Sequence, residues 1–244
     1  MEKDQALNIV FEDKDVLAVE KPPFLVVFPD KNYPNDSLQD RLLKSYPELK
    51  KVNEDGRSGI LHRLDRETSG LVIIAKNSSV YNFLKKSFIE GKIEKKYLVL
   101  AVGNIKENQG TIDTLIGRSK KDPRKQKVYS FGEPVGPERK LRKAVTNYKV
   151  LERFKDFTLV EAYPKTGRMH QIRVHFGHIQ HPVAGDKKYG FRRSVKIPQL
   201  NRLFLHASYL RIPLPNGEIK EFSSKLPEDL SLILEKLAKR GKDS

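Results

Sequence analysis

The chain has 244 residues, with 47 Lys or Arg against 31 Asp or Glu, so its formal net charge is +16 at pH 7. The absence of cysteine excludes a disulfide framework, a thiol nucleophile and a thiolate metal site. A hydrophobic share of 38% argues against disorder, and the excess of positive charge favours a polyanionic partner such as RNA, DNA or an anionic membrane surface.

No segment predicts insertion into a membrane. The longest apolar runs, at residues 71–75 and 97–102, are far shorter than the roughly 20 residues that a membrane-spanning helix needs. The first ten residues, MEKDQALNIV, are charged and lack the apolar stretch of a signal peptide. We therefore predict a cytoplasmic protein.

The first part of the chain predicts strands followed by a helix. Residues 10–12 and 16–20 are apolar or β-branched on either side of an Asp-Lys-Asp turn, which indicates a hairpin. A third strand is predicted at residues 24–28. Asp36, with Gln39 three positions later, predicts a capping box that opens a helix.

The middle of the chain is rich in predicted strands. Residues 69–76 form a nearly continuous apolar run that predicts a buried strand, and residues 78–90 predict a helix that Gly91 ends. Five further strands are predicted at residues 96–102, 111–116, 127–131, 144–152 and 158–163.

The last third predicts two helices. Residues 171–179 fit either a strand or a helix, and Thr166-Gly167 as a cap favours the helix. Residues 227–239 place leucines on one helical face. No repeat or linker divides the chain, so we predict a single mixed α+β domain over residues 1–244, built around a largely antiparallel mixed sheet with a central active-site cleft.

A polar loop with one central carboxylate directly precedes the predicted buried strand. Asp65 is flanked by Arg63 and Arg66, and the hydroxyls of Thr68 and Ser69 follow, so its surroundings favour an ionised and oriented acid. A loop held by a rigid strand suits a catalytic residue. The alternative is a structural loop of salt bridges.

Residues 62–70, HRLDRETSG, resemble the signature loop of the RluA-type RNA pseudouridine synthases, whose catalytic Asp occupies the position of Asp65. Further blocks are similar to the family in the same order: VLAVEKP, EKKYLVLAV, PKTGRMHQIRVH, PVAGDKKYG and the segment 205–207. One departure is Pro23-Phe24, where the family usually places a small Gly after its Lys-Pro turn. Another is residues 212–215, where a His-Pro pair is common.

The resemblance implies the pseudouridine synthase fold and an isomerase that needs no cofactor. It assigns the catalytic carboxylate to Asp65, the active-site tyrosine to Tyr97 and the ion-pair partner of Asp65 to Arg173. Asp65 acts on the ribose either as nucleophile at the anomeric carbon or as base at the neighbouring carbon, and the sequence leaves both routes open. Arg63 is implied to fill the gap that the extruded base leaves.

We expect structured RNA, either ribosomal or transfer RNA, as the partner. The predicted RNA-binding residues come from the blocks that resemble the family and from the basic segment 118–127: His62, Arg63, Arg66, Thr68, Arg124, Lys127, Arg168 and His170. Residues 139–143 and Arg192-Arg193 add positive charge, and binding should weaken with salt. Because the first family strand begins by Val16, no separate N-terminal RNA-binding domain is expected, and a monomer is the default prediction.

Three other classes of protein compete with this interpretation. His170, His175, His178 and His181 lie close enough in sequence for a metal-dependent hydrolase, but no carboxylate accompanies them and two arginines do. The pattern His-Arg-x-Asp is found in phosphotransferases, but the chain has no Gly-rich phosphate loop. A non-catalytic RNA-binding protein of the same fold is the third, and the set of Asp65, Tyr97 and Arg173 argues against it.

Overall fold

The computed structural model describes residues 7–133, 140–191 and 197–240. They form two compact units, one made of the chain up to Lys95 with His206–Lys225, the other of Lys96–Leu205 with the residues from Leu226 onward. The elements in chain order are β1 (Asn8–Glu12), β2 (Val16–Lys21), α1 (Leu38–Ser45), a 3-10 helix (Pro47–Lys51), β3 (Ser69–Ala75), α2 (Ser78–Ile89), β4 (Glu94–Val102), β5 (Gln109–Arg118), β6 (Gln126–Tyr129), β7 (Arg142–Arg153), β8 (Phe157–Pro164), α3 (Gln171–His178), β9 (Leu205–Pro213), β10 (Ile219–Ser223) and α4 (Glu228–Arg240).

The first unit is organised around β3. The strand order is β1, β2, β3, β9, and β10 pairs with β9. All seven residues of β3 are buried, as the apolar run predicts. The β3–β9 pair is parallel, and a Cβ on Gly70 would lie 2.2 Å from the carbonyl oxygen of Ala207. Only glycine therefore allows β9 to lie so close to the start of β3.

The second unit has five antiparallel strands in the order β4, β8, β7, β5, β6. Helix α3 contributes Phe176 to a core that includes Val99 and Val160. Helix α4 packs Leu230 and its neighbours into a second core around Phe204. Burial of these apolar side chains is the main stabilising contribution of both helices. The predicted fold class, mixed α+β with a mostly antiparallel sheet, is confirmed.

The predicted strand at residues 24–28 is wrong. Pro22-Pro23 interrupts the chain, and Phe24 has φ 68, a left-handed conformation outside the β region. Only Val26 forms an isolated bridge, to Ser37. The buried ammonium of Lys21 donates to the carbonyls of Pro22 and Leu25, both at 2.8 Å, so these groups are satisfied without a strand partner.

The two predicted caps also differ from the structure. Ser37, not Asp36, caps α1, because its side chain accepts from the backbone N–H of Asp40 while the Asp40 carboxylate accepts from the Ser37 N–H. Asp36 instead forms an exposed ion pair with Arg41. At α3 the N-cap is His170, with φ 56 and no side-chain cap bond, so the Thr166-Gly167 cap is wrong.

The other predicted elements match the structure within a few residues. They are the β1–β2 hairpin, β3 to β8 and the helices α1 to α4, including the helical choice for α3. Strands β9 and β10 were not predicted. Among the described residues, no helix combines the length and apolarity that crossing a bilayer requires. The single domain and the central cleft remain predictions.

Candidate active site

The loop that carries Asp65 is hydrogen-bonded to β3 before the turn and continues directly into β3 after it. Before the loop, Leu61 donates its N–H to the carbonyl of Ile73 at 3.3 Å, and His62 Nε2 accepts from the Ile73 N–H at 3.1 Å. After Asp65 the chain turns, and the Thr68 N–H donates to the Asp65 carbonyl at 3.1 Å. The carboxylate therefore lies on a short turn between two attachments to one buried strand.

A buried lysine connects β2 to this turn. Lys21 is fully buried, and besides the carbonyls of Pro22 and Leu25 its ammonium donates to the carbonyl of Arg66 at 3.2 Å. A buried ammonium is tolerated because it has these acceptors. The sequence indicates only a Lys-Pro turn here, and it does not predict the hydrogen bond from Lys21 to the residue that follows Asp65.

Asp65 and its neighbours alternate in exposure. Arg63 is exposed, Leu64 is buried and Asp65 is partly buried. Leu64 thus anchors the loop in the core while Arg63 extends into solvent. Within the described residues Arg63 has no hydrogen bond or ion pair, which suits a side chain that would enter RNA.

His62 has a mainly structural environment. Its ring lies 5.3 Å from that of Phe88, centroid to centroid, while Nε2 accepts from β3. Burial, with the nearby charge of Lys95, lowers the pKa of His62 to about 3. A neutral imidazole adds no charge attraction for phosphate, so its predicted RNA contact remains a prediction that these contacts do not strengthen.

Two buried polar atoms of the loop have no hydrogen-bond partner among the described residues: Arg66 Nε and the Thr68 hydroxyl. The Arg66 guanidinium lies over two aromatic rings, 5.4 Å from the centroid of Phe24 and 4.6 Å from that of Tyr33. Buried polar atoms are usually satisfied, and exceptions often mark functional sites. The loop is therefore polar but incompletely bonded.

A chain of buried polar contacts lies behind the loop. Ser69 Oγ is 3.0 Å from His206 Nδ1, His206 Nε2 is 3.1 Å from Ser224 Oγ, and Ser224 donates to Glu20. This chain links β3, β9 and β2 in the first unit. The sequence placed His206 in a family block and gave it no role.

Arg173 lies on α3 and is held by Asp186. The guanidinium donates from Nε and Nη2 to the two oxygens of Asp186 at 2.7 and 2.9 Å, and both side chains are buried. Asp186 also accepts from the backbone N–H groups of Lys188 and Tyr189. The sequence missed Asp186, although it stands within the block PVAGDKKYG.

The residues before α3 are organised by Tyr189 and Gln171. The Tyr189 hydroxyl is 2.8 Å from His170 Nδ1 and accepts from the Gln126 N–H, and its ring faces Arg173 at 5.2 Å. The Gln171 amide accepts from the Thr166 hydroxyl and the Arg168 N–H and donates to the Val145 carbonyl and the Thr146 hydroxyl, which completes its bonding capacity.

Tyr97 and Arg168 lie in the same unit as Arg173. Tyr97 is on β4 opposite Ala162 of β8, partly buried, with its ring against the core that contains Phe176. Arg168 donates from Nε to the Lys143 carbonyl at 3.0 Å. Asp65 belongs to the first unit and Arg173 to the second, so their predicted ion pair stays a prediction.

The basic segment 118–127 forms the β5–β6 hairpin. Lys120, Lys121, Arg124 and Lys127 are exposed. Arg124 pairs with Asp122 at 3.0 Å and Lys127 with Glu133 at 3.1 Å. Exposed ion pairs are weak and exchange readily for phosphate contacts. Arg139, Arg192 and Arg193 lie outside the described residues.

The histidines proposed as a metal cluster have separate contacts. His175 is buried between the hydroxyls of Thr114 and Thr146, at 3.1 and 2.9 Å, and burial lowers its pKa to about 4. His181 Nδ1 lies 2.9 Å from the Val102 carbonyl, and His170 contacts Tyr189. In the part of the chain that the structure describes, no three or more His, Asp or Glu residues are grouped to hold a metal ion.

Comparison with known proteins identifies the family. A family model described as RNA pseudouridylate synthase matches residues 15–178. The chain is 41% identical over 236 residues to the uncharacterized RNA pseudouridine synthase YlyB of Bacillus subtilis, covering 96% of this chain and 74% of that protein. It is 36% identical over 242 residues to ribosomal large subunit pseudouridine synthase D of Haemophilus ducreyi, covering 95% and 70%.

A solved structure agrees with the sequence comparisons. Human RNA pseudouridylate synthase domain containing 1 superposes with a TM-score of 0.75 at 27% identity, covering 100% of this chain and 98% of that one. The resemblance of the HRLDRETSG loop and its companion blocks is thereby confirmed at the level of the family. The chain belongs to the RNA pseudouridine synthases of the RluA type, isomerases that convert uridine in RNA to pseudouridine.

Proposed function

We propose that this protein isomerises one defined uridine in structured ribosomal or transfer RNA, with the Asp65 carboxylate acting on the ribose. The observation that carries the proposal is the attachment of the Asp65 turn: hydrogen bonds join the preceding residues to β3, the turn itself runs into β3 at Ser69, and the buried Lys21 donates to the carbonyl of Arg66. A fixed backbone at Asp65 limits the positions that its carboxylate can reach, which favours catalysis by a positioned group.

The reaction balances without an outside reactant. The bond from the ribose anomeric carbon to uracil N1 breaks, the uracil rotates, and a new bond forms from the same ribose carbon to uracil C5. The C5 hydrogen leaves as a proton and N1 gains one. An ionised Asp65 serves either route, as nucleophile at the anomeric carbon or as base at the neighbouring carbon.

We assign supporting roles to Arg173 and Tyr97. The bidentate pair with Asp186 fixes the Arg173 guanidinium on α3, so that it is a rigid cation suited to orienting a carboxylate. We assign to it the ion pair with Asp65. Tyr97 is to stack on the uracil and to place its phenol near C5, and its partly buried ring on β4 offers a face for stacking.

The substrate must expose its target base. Extruding a base from a helix costs a few kcal/mol, and a side chain that takes its place offsets part of this cost. The exposed Arg63, next but one to Asp65, is our candidate. The cationic hairpin 118–127 supplies phosphate contacts. Relatives named ribosomal large subunit pseudouridine synthase D favour ribosomal RNA. We propose a cytoplasmic monomer that needs no cofactor.

Mapping of pseudouridines tests the proposal. RNA from cells with and without the gene is compared, and the deletion is complemented with the parent protein, Asp65→Ala, or the matched control Asp36→Ala, which removes an exposed carboxylate of the same unit. We expect one site to vanish on deletion and to return with the parent and with Asp36→Ala only. A map unchanged by deletion would instead favour the non-catalytic RNA-binding protein.

A further inference from the structure

Phe24 is held in a conformation that a phenylalanine does not favour. Its φ of 68 lies in the left-handed region, which is strained for a non-glycine residue, and 46% of the residue is exposed. Nearly half of the residue thus stays in contact with solvent in spite of the strained backbone. A glycine at this position would avoid the strain. A strained and exposed aromatic residue is a reason to look for a function.

Tyr33 is a second exposed aromatic residue, presented by a tight turn. Asp30 and Tyr33 exchange backbone hydrogen bonds at 3.2 and 3.1 Å, and Asp30 Oδ1 accepts from the N–H groups of Asn32 and Tyr33. Tyr33 is 38% exposed. The turn fixes the backbone that carries the ring, which lowers the entropy lost when a ligand stacks on it.

Arg66 joins both aromatic residues to the Asp65 turn. Its guanidinium is 5.4 Å from the Phe24 centroid and 4.6 Å from the Tyr33 centroid, its Nε is buried without a partner among the described residues, and Lys21 holds its carbonyl. Arg66 directly follows Asp65 in the chain. The cluster is therefore attached to the same turn that carries the proposed catalytic carboxylate.

Exposed aromatic faces around an arginine suit one class of ligand in particular. Unstacked RNA bases stack on aromatic side chains and on guanidinium planes, and Arg supplies donors for base edges or phosphate. We propose that Phe24, Tyr33 and Arg66 form a stacking subsite for an unpaired nucleobase of the substrate RNA that neighbours the target uridine. The inference rests on the proposed function, because it takes RNA as the ligand of the Asp65 turn.

A fluorescent RNA tests the subsite directly. The probe is an RNA hairpin whose loop contains one uridine with 2-aminopurine on its 5′ or its 3′ side, because stacking on an aromatic ring quenches this base. Titrations use Asp65→Ala as the parent, so that no turnover occurs. We expect the parent to quench one of the two probes. We expect Phe24→Gly and Tyr33→Ala, each added to the parent, to lose the quench and to weaken binding by about tenfold.

Two controls separate a lost subsite from a damaged fold. Gly accepts the φ of residue 24, so Phe24→Gly should keep the circular dichroism spectrum and the cooperative unfolding of the parent. Tyr46→Ala removes a comparable pair, Lys76 Nζ at 5.8 Å from the Tyr46 ring, beyond the other end of β3, whose seven residues span about 23 Å. It should bind and quench as the parent does.

The outcomes distinguish this inference from the proposed function. Unchanged quench and affinity in both Phe24→Gly and Tyr33→Ala, or a parent that quenches neither probe, would overturn the subsite while the map of pseudouridines still stood. Quenching that depends on Phe24 and Tyr33, combined with an unchanged cellular map, would keep the subsite and overturn the catalytic proposal.

Discussion

The Asp65 turn and the start of α3 differ in how completely their polar groups are bonded. At α3, the Gln171 amide makes four hydrogen bonds, and Arg173 forms a bidentate buried pair with Asp186. At the turn, Arg66 Nε and the Thr68 hydroxyl are buried without partners among the described residues. Both regions carry proposed active-site residues.

The difference indicates a structural role for the start of α3 and a ligand-binding role for the Asp65 turn. A fully bonded network is rigid and strongly stabilising, whereas unsatisfied groups lower stability and are kept where a ligand or the chemistry needs them. We infer that the bonded polar groups at the start of α3 stabilise the folded protein. The unsatisfied groups of the Asp65 turn lower its stability and are available to bind RNA. Substitutions in the two regions should therefore have opposite consequences.

The largest expected effect on stability is at Asp186. Asp186→Ala leaves the buried Arg173 cation without its bidentate partner, which should lower the free energy of unfolding by about 3–5 kcal/mol. Urea denaturation measures it. Asp122→Ala is the matched control, because it removes the exposed partner of Arg124 and should cost less than about 1 kcal/mol. Equal losses of unfolding free energy in the two variants would contradict the structural role of the start of α3.

The next largest expected effect is a loss of stability at acidic pH. The pKa of His175 is lowered to about 4 in the folded protein. Between pH 6.5 and 4 this imidazole is therefore protonated mainly in the unfolded chain and stays neutral in the folded one. The free energy of unfolding should therefore fall as pH drops from 7 to 5, by about 2 kcal/mol for this group. Above about pH 7.5 this contribution is constant, because the residue is then neutral in both states.

Denaturation of His175→Gln at pH 7, 6.5 and 5 isolates the contribution. The variant should lose stability less steeply than the parent over this range. His62, with its pKa near 3, contributes with the same sign in the first unit and keeps part of the slope. Parallel curves for the parent and His175→Gln would show that His175 is not held neutral.

The smallest expected effect on the free energy of unfolding comes from a threonine-to-valine substitution. Because the same substitution is made in both regions, it compares them most directly. Thr146→Val removes a hydroxyl bonded to Gln171 and His175 and should cost about 1–3 kcal/mol. Thr68→Val removes a buried hydroxyl that has no partner among the described residues, and should leave the free energy of unfolding unchanged or raise it. A loss at Thr68 as large as that at Thr146 would break the distinction.

Elements with strong local signals could be predicted from the sequence. The apolar run at β3 needs burial on all sides, and the leucines of α4 repeat at helical spacing, so both elements follow from composition and period. The segment at Phe24 failed because apolar residues there suggested a strand, whereas two prolines and the left-handed φ of Phe24 forbid one.

The candidate site could be predicted only in part. Motif resemblance selected Asp65, Tyr97 and Arg173, and the family is now shown, but their roles remain proposals. The hydrogen bond from Lys21 to Arg66 joins residues 45 positions apart, and the ion pair of Arg173 with Asp186 joins residues 13 positions apart. Neither contact could be predicted from spacing in the sequence. The displaced cap, Ser37 in place of Asp36, goes with a reciprocal pair of hydrogen bonds between Ser37 and Asp40, three positions later, while Asp36 pairs with Arg41.

The central claim is that a negative charge at residue 65 performs the isomerisation. RNA labelled with tritium at uridine C5 releases the label when the new carbon–carbon bond forms, so release measures turnover by the purified protein. We predict that Asp65→Asn, which keeps the size of the side chain but not its charge, lowers the single-turnover rate by at least about 10⁴-fold, while Asp36→Asn releases tritium at the parental rate. An Asp65→Asn rate within tenfold of the parent would contradict the account.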